Sequence, residues 1–451
     1  RRERISTPGT ARPWRIAMSS GAGLLCFVWG DGDEVLLRRE SSAFVRDYPS
    51  GFECDVRLRM PRQRDAAAPR PSVPLFLCRH VRCCPTGGQT QEGTVPPGGL
   101  HGLGEPPHPI ALVKSGLQKA IRRGLPMPAL ATAAYLLARE TKELLRRLPI
   151  ILVEDAGVFA DLPRLTWLML AVQSGYHLTE GDVRFIFVLI AFAAGRRSPV
   201  VHASACTDAE LDAVPTELLQ TELAGADRDT QALRFCFLIR ACYGGMQSDV
   251  EMLLAFAAKP AAWSGHVAPP GESDAATMAL VEAWLGGGPH TGGSFQRLLR
   301  GWAGDLAPQA RLEAAVDFHC SDIVAHVLRE VRHLHPPDMQ PPLNEGTLKE
   351  AIWTYRSAAN PRRAEVAWPP PLPWWDAALE AALTTFSSRA WAPRRAAPAL
   401  PGSAPPAKRQ RASATASKQL SIFRFATPVV HAGRPETRVR ACNESGPVCI
   451  C

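Results

Sequence analysis

The sequence lacks any hydrophobic run of the roughly 20 residues that a transmembrane helix needs. It also shows no secretory signal: the apolar segment 24–29 is too short, and acidic residues follow it at once. We therefore expect no membrane partner. Because the 451-residue chain shows no export signal, its 12 cysteines are interpreted as reduced thiols rather than as a disulfide framework.

The common catalytic motifs are also missing. The chain contains no G-x-x-x-x-G-K-[ST] phosphate loop, no G-x-S-x-G and no H-E-x-x-H. The glycine cluster at 286–293 lacks the lysine of a phosphate loop. We predict a protein without catalytic residues and without a cofactor, and therefore not an enzyme. An enzyme whose site is assembled from scattered residues stays an open alternative.

Two groups of metal-ligating residue types occur without the rest of a metal-site pattern. Cys78, His80, Cys83 and Cys84 form a C-x-H-x2-C-C cluster, but a second Cys/His pair at zinc-finger spacing is missing. Ordinary buried or loop thiols are favoured over zinc. A histidine stripe has no carboxylate pattern beside it and is interpreted as solvated or satisfied. It consists of His319, His326, His333 and His335.

Acidic residues are absent from one long segment, 381–435, which carries nine basic residues. Residues 1–17 carry +4 and precede the first methionine, Met18, so we interpret them as upstream translated sequence or as a disordered basic leader. Although the whole chain has a formal charge of +8, residues 18–380 therefore carry −5. A domain that wraps DNA with a uniformly basic surface is not expected from such a body.

The N-terminal part predicts a small β element over 18–65. GLLCFVW and VLLRRE flank the turn residues GDGDE and read as a hairpin, and a third strand is expected at 54–58. Nine prolines and seven glycines over 69–109 then predict a linker from 66 to 109.

From 110 to 386 the apolar residues follow helical spacing in segments that proline and glycine interrupt. The predicted helices are 110–123, 128–147, 161–174, 179–195, 208–224, 228–243, 247–258, 273–285, 294–303, 308–335, 344–358 and 374–387. The fold class is therefore mainly α, a multi-helix bundle with a small N-terminal β element. We divide it into helical regions 110–260 and 261–387, followed by a disordered basic tail over 388–451.

Two helical segments allow detailed expectations. The helix 179–195 is apolar nearly all round and predicts a central buried helix, with Thr179 and Asp182 at its N-terminus and Gly195 at its C-terminus. In the second segment, YGGMQSDVEMLLAF (243–256), the two glycines should end one helix and Ser248 or Asp249 should cap the next. The residues expected to pack in the core are Met246, Val250, Leu253 and Leu254.

Several short motifs follow one another in a recognisable order over 114–157. The positions are Ser115, Lys119, Arg123 and Gly124; Tyr135, Leu136, Leu137, Ala138 and Arg139; Arg146, Arg147 and Leu148; and Glu154, Asp155 and Gly157. Together they resemble the helical region that follows the ATPase core in the clamp-loader-related recombination ATPases. That family includes replication-associated recombination protein A and Werner-helicase-interacting protein. Val153 and Ala156 depart from its pattern, and its ATPase core is absent.

The resemblance covers under a fifth of the chain and implies a helical collar or oligomerisation module near the replication fork. It further implies clamp-loader or other AAA+ ATPase subunits, or a second copy of this chain, as candidate partners. Because the ATPase core is missing, ATP hydrolysis is not implied.

Basic residues in this region are candidate contacts to DNA phosphates. They are Lys114, Lys119, Arg122, Arg123, Arg146 and Arg147. The alternative is ion pairing with Glu140, Glu143, Glu154 and Asp155, which the acidic body favours.

The tail segment SKQLSIFRF (417–425) resembles the peptides by which replication proteins bind sliding clamps. The anchoring positions would be Gln419, Leu420, Ile422, Phe423 and Phe425. The match to the bacterial type, Q-L-[SD]-L-F, has one conservative change, whereas the PCNA-interacting type lacks its second aromatic residue. In such peptides a polar pocket takes the glutamine and an apolar pocket takes the large side chains. The alternatives are a chance match and a strand that docks on the body.

Just upstream, PPAKRQR (405–411) resembles a nuclear-import signal with Lys408, Arg409 and Arg411 as its basic core. A generic basic linker is the alternative. The two motifs together predict a nuclear, non-enzymatic accessory protein of DNA replication or repair whose helical body is tethered to a sliding clamp. The competing hypothesis is a nuclear helical adaptor that binds protein partners and has no direct DNA role.

Overall fold

The structure, a computed structural model, describes part of the chain's residues. They are 24–29, 35–40, 50–61, 72–80, 94–100, 106–196, 206–220, 228–286, 295–312, 315, 321–331 and 373–392. The leader, the import and clamp-binding motifs and the predicted helix 344–358 lie outside them. So do Cys83, Cys84, His319, His333 and His335.

Four strands form the N-terminal sheet, in the order β2-β1-β4-β3. Strand β1 (Leu24–Trp29) pairs antiparallel with β2 (Val35–Glu40), which confirms the hairpin. Strand β3 (Ser50–Arg59) confirms the third strand and pairs antiparallel with β4 (Ser72–His80). Strand β4 also pairs with β1, in parallel, and so lies inside the sheet.

The prediction of a linker over 66–109 is wrong at strand β4. Its apolar residues Leu75 and Leu77 lie on one face and are fully buried, which is the burial that a strand inside a sheet needs. Pro74 lies opposite Arg57 of β3, one residue before the pairing with β1 begins at Leu75. The prediction relied on the proline and glycine content of the segment and therefore missed a short apolar run that forms a strand.

Helices make up most of the described chain, which confirms a mainly α fold. They are α1 (Ile110–Arg122), α2 (Pro126–Ile151), α3 (Leu162–Gln173), α4 (Glu180–Gly195), α5 (Asp208–Gln220), α6 (Arg228–Cys242), α7 (Gln247–Ala258), α8 (Ala275–Gly286), α9 (Phe295–Trp302), α10 (Ser321–Val331) and α11 (Pro373–Ala390). The predicted helix 308–335 is shorter than expected, since 308–310 is a 3-10 turn and the α-helix begins at Ser321. None of the described helices is long and apolar enough to cross a bilayer.

Helix α4 is the central buried helix that its sequence predicted. Thr179 accepts a hydrogen bond from the Asp182 backbone N–H at 3.3 Å, and the Asp182 carboxylate accepts one from the Thr179 N–H at 2.9 Å. This capping box satisfies two N–H groups that a helix start otherwise leaves free. The helix packs against α1, α2 and α8.

The sheet packs on the helices through α3 and α6. On α3, the fully buried Trp167 donates its indole N–H to the Phe27 carbonyl oxygen of β1 at 3.0 Å. Its ring also meets Phe52 of β3 and Tyr176 edge-on, with centroids 6.0 and 5.4 Å apart. Arg79 of β4 forms an ion pair with Asp182 at 3.2 Å. The β element thus shares one hydrophobic core with the bundle.

Helix α2 is bent at Glu140, where the backbone leaves helical geometry. The carbonyl oxygen of Ala138 accepts a hydrogen bond from the Leu100 N–H at 2.8 Å. A loop residue therefore inserts into the backbone hydrogen bonds of the helix at the bend. Gly99 has a φ of 71°, and a Cβ there would lie 2.7 Å from the Ala138 and Arg139 backbone. A glycine is therefore required where this loop meets the helix.

Two members of the metal-type groups, Cys78 and His326, are buried. Cys78 lies in strand β4 and is 2% exposed, and the His326 ring lies 3.1 Å from an Arg329 nitrogen. Burial also raises the pKa of Cys236 and Cys242 to about 12. Within the described ranges, no group of three or more His, Cys, Asp or Glu residues is placed to hold a metal ion.

A buried carboxylate at the start of α3 predicts a pH-dependent stability. Asp161 accepts a hydrogen bond from Gly271 N–H at 2.7 Å, and burial raises its pKa to about 7. Because the unfolded pKa is about 3.9, the folded state binds the proton more tightly, and stability falls as pH rises from about 4 to about 7. Wild type should therefore lose on the order of 2 kcal/mol of stability when the pH rises from 5 to 8, whereas Asp161→Asn, which has no carboxylate at this position, should not.

Urea unfolding at both pH values measures this difference. Asp208→Asn, which changes an exposed aspartate, is the control and should lose stability as wild type does. A difference between Asp161→Asn and wild type that is the same at pH 5 and pH 8 would contradict a raised pKa at Asp161.

Candidate functional site

A polar network joins α1 to the turn after α2. Residues Leu152–Ala156 form a π-helical turn that holds the adjacent carboxylates Glu154 and Asp155. Arg122 of α1 donates to Asp155 at 2.5 Å and to Glu154 at 3.3 Å, and Gln118 donates to both carboxylates at 2.9 and 3.0 Å. Burial and then the charge of Asp155 raise the pKa of Glu154. The ion-pair interpretation of Arg122 is thereby confirmed.

Beside this network lies a cleft between α1, the second half of α2, and the junction of α6 with α7. Its volume is about 360 Å³. The charged residues that line it are Lys114, Glu143, Arg146, Arg147, Arg240 and Asp249. Four positive charges therefore face two negative ones.

Glu143 lies between two of these cations. Its carboxylate accepts hydrogen bonds from the Lys114 ammonium at 2.7 Å and from the Arg146 guanidinium at 3.0 Å. Burial alone would raise the pKa of Glu143, but the hydrogen bonds and charges of Lys114 and Arg146 outweigh it and lower that pKa. One carboxylate is thus shared by two cations.

Arg147 connects the cleft to the turn network. One of its terminal nitrogens donates to Asp249 of α7 at 3.1 Å, and the other donates to the Gln118 side-chain oxygen at 2.7 Å. The chain of contacts runs from Asp249 through Arg147 and Gln118 to Glu154 and Asp155. It ties α1, α2 and α7 together at one end of the cleft.

Arg240 is a cation with no carboxylate partner among the described residues. It is 3% exposed, and it donates to the carbonyl oxygens of Arg146 and Gly244, both at 2.7 Å. Burial, and then the neighbouring charge of Arg146, lower its pKa to about 9. The charges of Asp249 and Glu143 act in the opposite direction, but neither carboxylate forms a hydrogen bond with Arg240, so a further negative group close to it would be favourable.

The junction of α6 with α7 differs from the cap that the sequence predicted. Gly244 and Gly245 have φ angles of 70° and 144°, which confirms that glycines end α6. The cap prediction is wrong, because the N-cap is Met246 and no side chain caps α7. Asp249 is instead held by Arg147.

Met246 was predicted to pack in the core, but it is 48% exposed at the edge of the cleft. Core packing is confirmed for Leu253 and Leu254, which are buried, and Val250 is partly buried against them. The helical spacing of these residues was correct. It could not show that Met246 precedes the first turn of α7 and faces the cleft.

The basic residues predicted to contact DNA phosphates are separated by the fold. Lys119 is fully buried, so its prediction as a phosphate contact is wrong. Lys114, Arg146 and Arg147 line the cleft, Arg122 lies in the turn network, and all four form ion pairs with carboxylates. Arg123 follows the last residue of α1 and is partly buried.

The residues of the site that were not predicted from the sequence as part of it include Gln118, Arg240 and Asp249. The segment 243–256 was distinctive in the sequence, but it was interpreted as core packing alone. One sequence pattern indicates a functional junction here. It is an arginine in the last turn of a helix, followed by two glycines and the start of a new helix.

Comparison of the chain with protein-family models, with curated proteins and with solved structures finds no match. The resemblance of residues 114–157 to the clamp-loader-related recombination ATPases therefore stays a prediction made from the residues.

Proposed function

We propose that the protein is a non-enzymatic accessory factor of nuclear DNA replication or repair. Its helical body would act as a collar-like module, and residues 419–425 would tether it to a sliding clamp. The observation that carries the proposal is the segment SKQLSIFRF, which follows the basic import-like residues 408–411. A glutamine and four large apolar residues in such a segment are the anchors that a clamp pocket accepts.

The contacts of the body support one part of this proposal. The motifs behind the resemblance lie in α1, α2 and the turn that follows, and these elements pack on one another. Gln118 and Arg122 of the first element bind Glu154 and Asp155 of the last. Candidate partners of such a module are AAA+ ATPase subunits of the clamp-loader type, or a second copy of this chain.

The ion pairs of the body favour an indirect association with DNA. Cations that are held by carboxylates release few counterions when they meet a phosphate backbone, and the body as a whole is acidic. We therefore propose that the clamp, rather than the body, brings the protein to DNA. The adaptor hypothesis, with protein partners and no DNA role, rests on the same ion pairs. It differs because it predicts no binding to a sliding clamp.

A clamp pull-down with the full-length chain tests the tail. Gln419→Ala together with Phe423→Ala removes the polar anchor and one apolar anchor, so we expect the Kd for the clamp to rise at least tenfold. Ser421→Ala changes the same peptide at a position without an anchor and should bind as wild type does. Equal binding by wild type and the double variant would refute the tail proposal.

The same assay separates the two clamp types and the two functions. Ala426→Phe completes the pair of aromatic residues of the PCNA-interacting motif and should tighten binding to a clamp of that type. DNA binding by the body, measured at low salt with residues 393–451 deleted so that α11 and the buried Trp391 are kept, should be weak. A wild-type chain that binds neither clamp type would favour the adaptor.

A further inference from the structure

We propose that the cleft between α1, α2 and the α6–α7 junction binds the phosphate group of a small phosphorylated molecule. The lining residues carry a surplus of two positive charges, because Glu143 is shared by Lys114 and Arg146, and Arg147 is balanced by Asp249. A phosphate monoester carries about −1.5 to −2 at neutral pH and matches this surplus. This proposal is independent of the clamp-binding tail.

Arg240 supplies the group that a phosphate would bind most directly. Its guanidinium lines the cleft and is 3% exposed, and its partners are the carbonyl oxygens of Arg146 and Gly244. Guanidinium groups form charge-assisted, often bidentate hydrogen bonds with phosphate oxygens. Burial of this charge is costly, and the carboxylates of Asp249 and Glu143 offset the cost only in part, so a bound dianion would offset more of it.

Neutral donors lie at the same place. The N-terminus of α7 opens at Met246 on the lining of the cleft, and no side chain caps it. A helix N-terminus favours an anion through the N–H groups of its first turn. On the facing helix, Ser115 lines the cleft, and its hydroxyl is buried with no hydrogen-bond partner in the described structure. A buried hydroxyl of this kind is normally satisfied, and a phosphate oxygen would satisfy it.

The shape of the cleft favours a small molecule over a nucleic acid. Its volume of about 360 Å³ lies at the lower end of the range for small-molecule sites. Ala111, Ile150 and Met246 add an apolar wall against which the organic part of a ligand would pack.

Isothermal titration of the full-length chain with inorganic phosphate, glycerol phosphate and adenosine monophosphate tests the proposal. Both organic monoesters should bind more tightly than inorganic phosphate, because only they reach the apolar wall. Arg240→Gln should raise the Kd of both organic monoesters at least tenfold. Because Arg240 also holds two backbone carbonyls, the partly exposed Lys114→Glu is the second variant, and it should weaken binding to a similar extent.

Arg184→Gln removes an arginine of an exposed ion pair away from the cleft and should bind as wild type does. Absence of binding by all three ligands at about 10 mM would overturn the proposal, since a charge-assisted site should exceed this affinity. Equal binding by Lys114→Glu and wild type would overturn it as well. If a single-stranded oligonucleotide bound the chain more tightly than the monoesters do, the ligand of the cleft would be a nucleic acid, and the proposal of a small molecule would be overturned.

Discussion

Replacing Arg122 with methionine is expected to lower the free energy of unfolding by about 3–5 kcal/mol. The Arg122 side chain is 10% exposed, and its partner Asp155 is 3% exposed. The substitution removes the Arg122 guanidinium from both carboxylates, whereas Gln118 still donates to each of them. The cost comes mainly from the loss of this cation beside the buried charge of Asp155, because methionine fills most of the volume of the arginine stem.

Urea unfolding monitored by circular dichroism measures this loss, and a double-mutant cycle with Asp155→Asn isolates the pair. The double variant should be less destabilised than the sum of the single variants, since the neutral amide no longer needs a cation. Arg184→Met breaks the exposed pair with Glu282 and should cost below about 1 kcal/mol. A similar small cost for Arg122→Met would show that its ion pairs contribute little.

Replacing Trp167 with alanine is expected to cost about 3–5 kcal/mol and to loosen the N-terminal sheet. The ring is fully buried and packs edge-on against Phe52 and Tyr176, and its N–H binds the Phe27 carbonyl oxygen. Trp167→Phe retains most of the packing and removes the hydrogen bond, so we expect a smaller loss of about 1–2 kcal/mol.

Hydrogen exchange of the strand amides shows where the effect is located. Trp167→Ala should speed exchange in β1, β3 and β4 more than in α4. Trp263→Ala is the matched control, because Trp263 is equally buried and donates its indole N–H to the Phe256 carbonyl oxygen, away from the sheet. Faster strand exchange in both variants alike would contradict a specific role for Trp167 in holding the sheet.

Much of the fold could be predicted because its elements are determined locally. The spacing of apolar residues located α1, α3, α6 and α7 to within two residues at either end. The capping box of α4 was readable because both partners lie within four residues of each other. The bend of α2 at Glu140 was not readable, because its cause is a loop some 40 residues earlier in the chain.

The candidate site was predicted only in part, and for the same reason. The sequence identified Lys114, Arg146 and Arg147 as basic, and it offered ion pairing as the alternative to DNA contact. The partner of Arg147 is Asp249, 102 residues further on, and no local pattern relates the two. The burial of Lys119 was equally invisible, because it depends on elements that close over α1.

The sequence by itself determined the mainly helical architecture, the acidic body and the basic tail with its short motifs. These properties depend on spacing, composition and local charge, which a linear chain displays directly. The tertiary structure alone decided that segment 72–80 is a strand within a shared core, and that Arg240 meets the cleft beside α7. Strand pairing and charge pairing both join residues distant in the chain, so their energies depend on distances that only the folded protein defines.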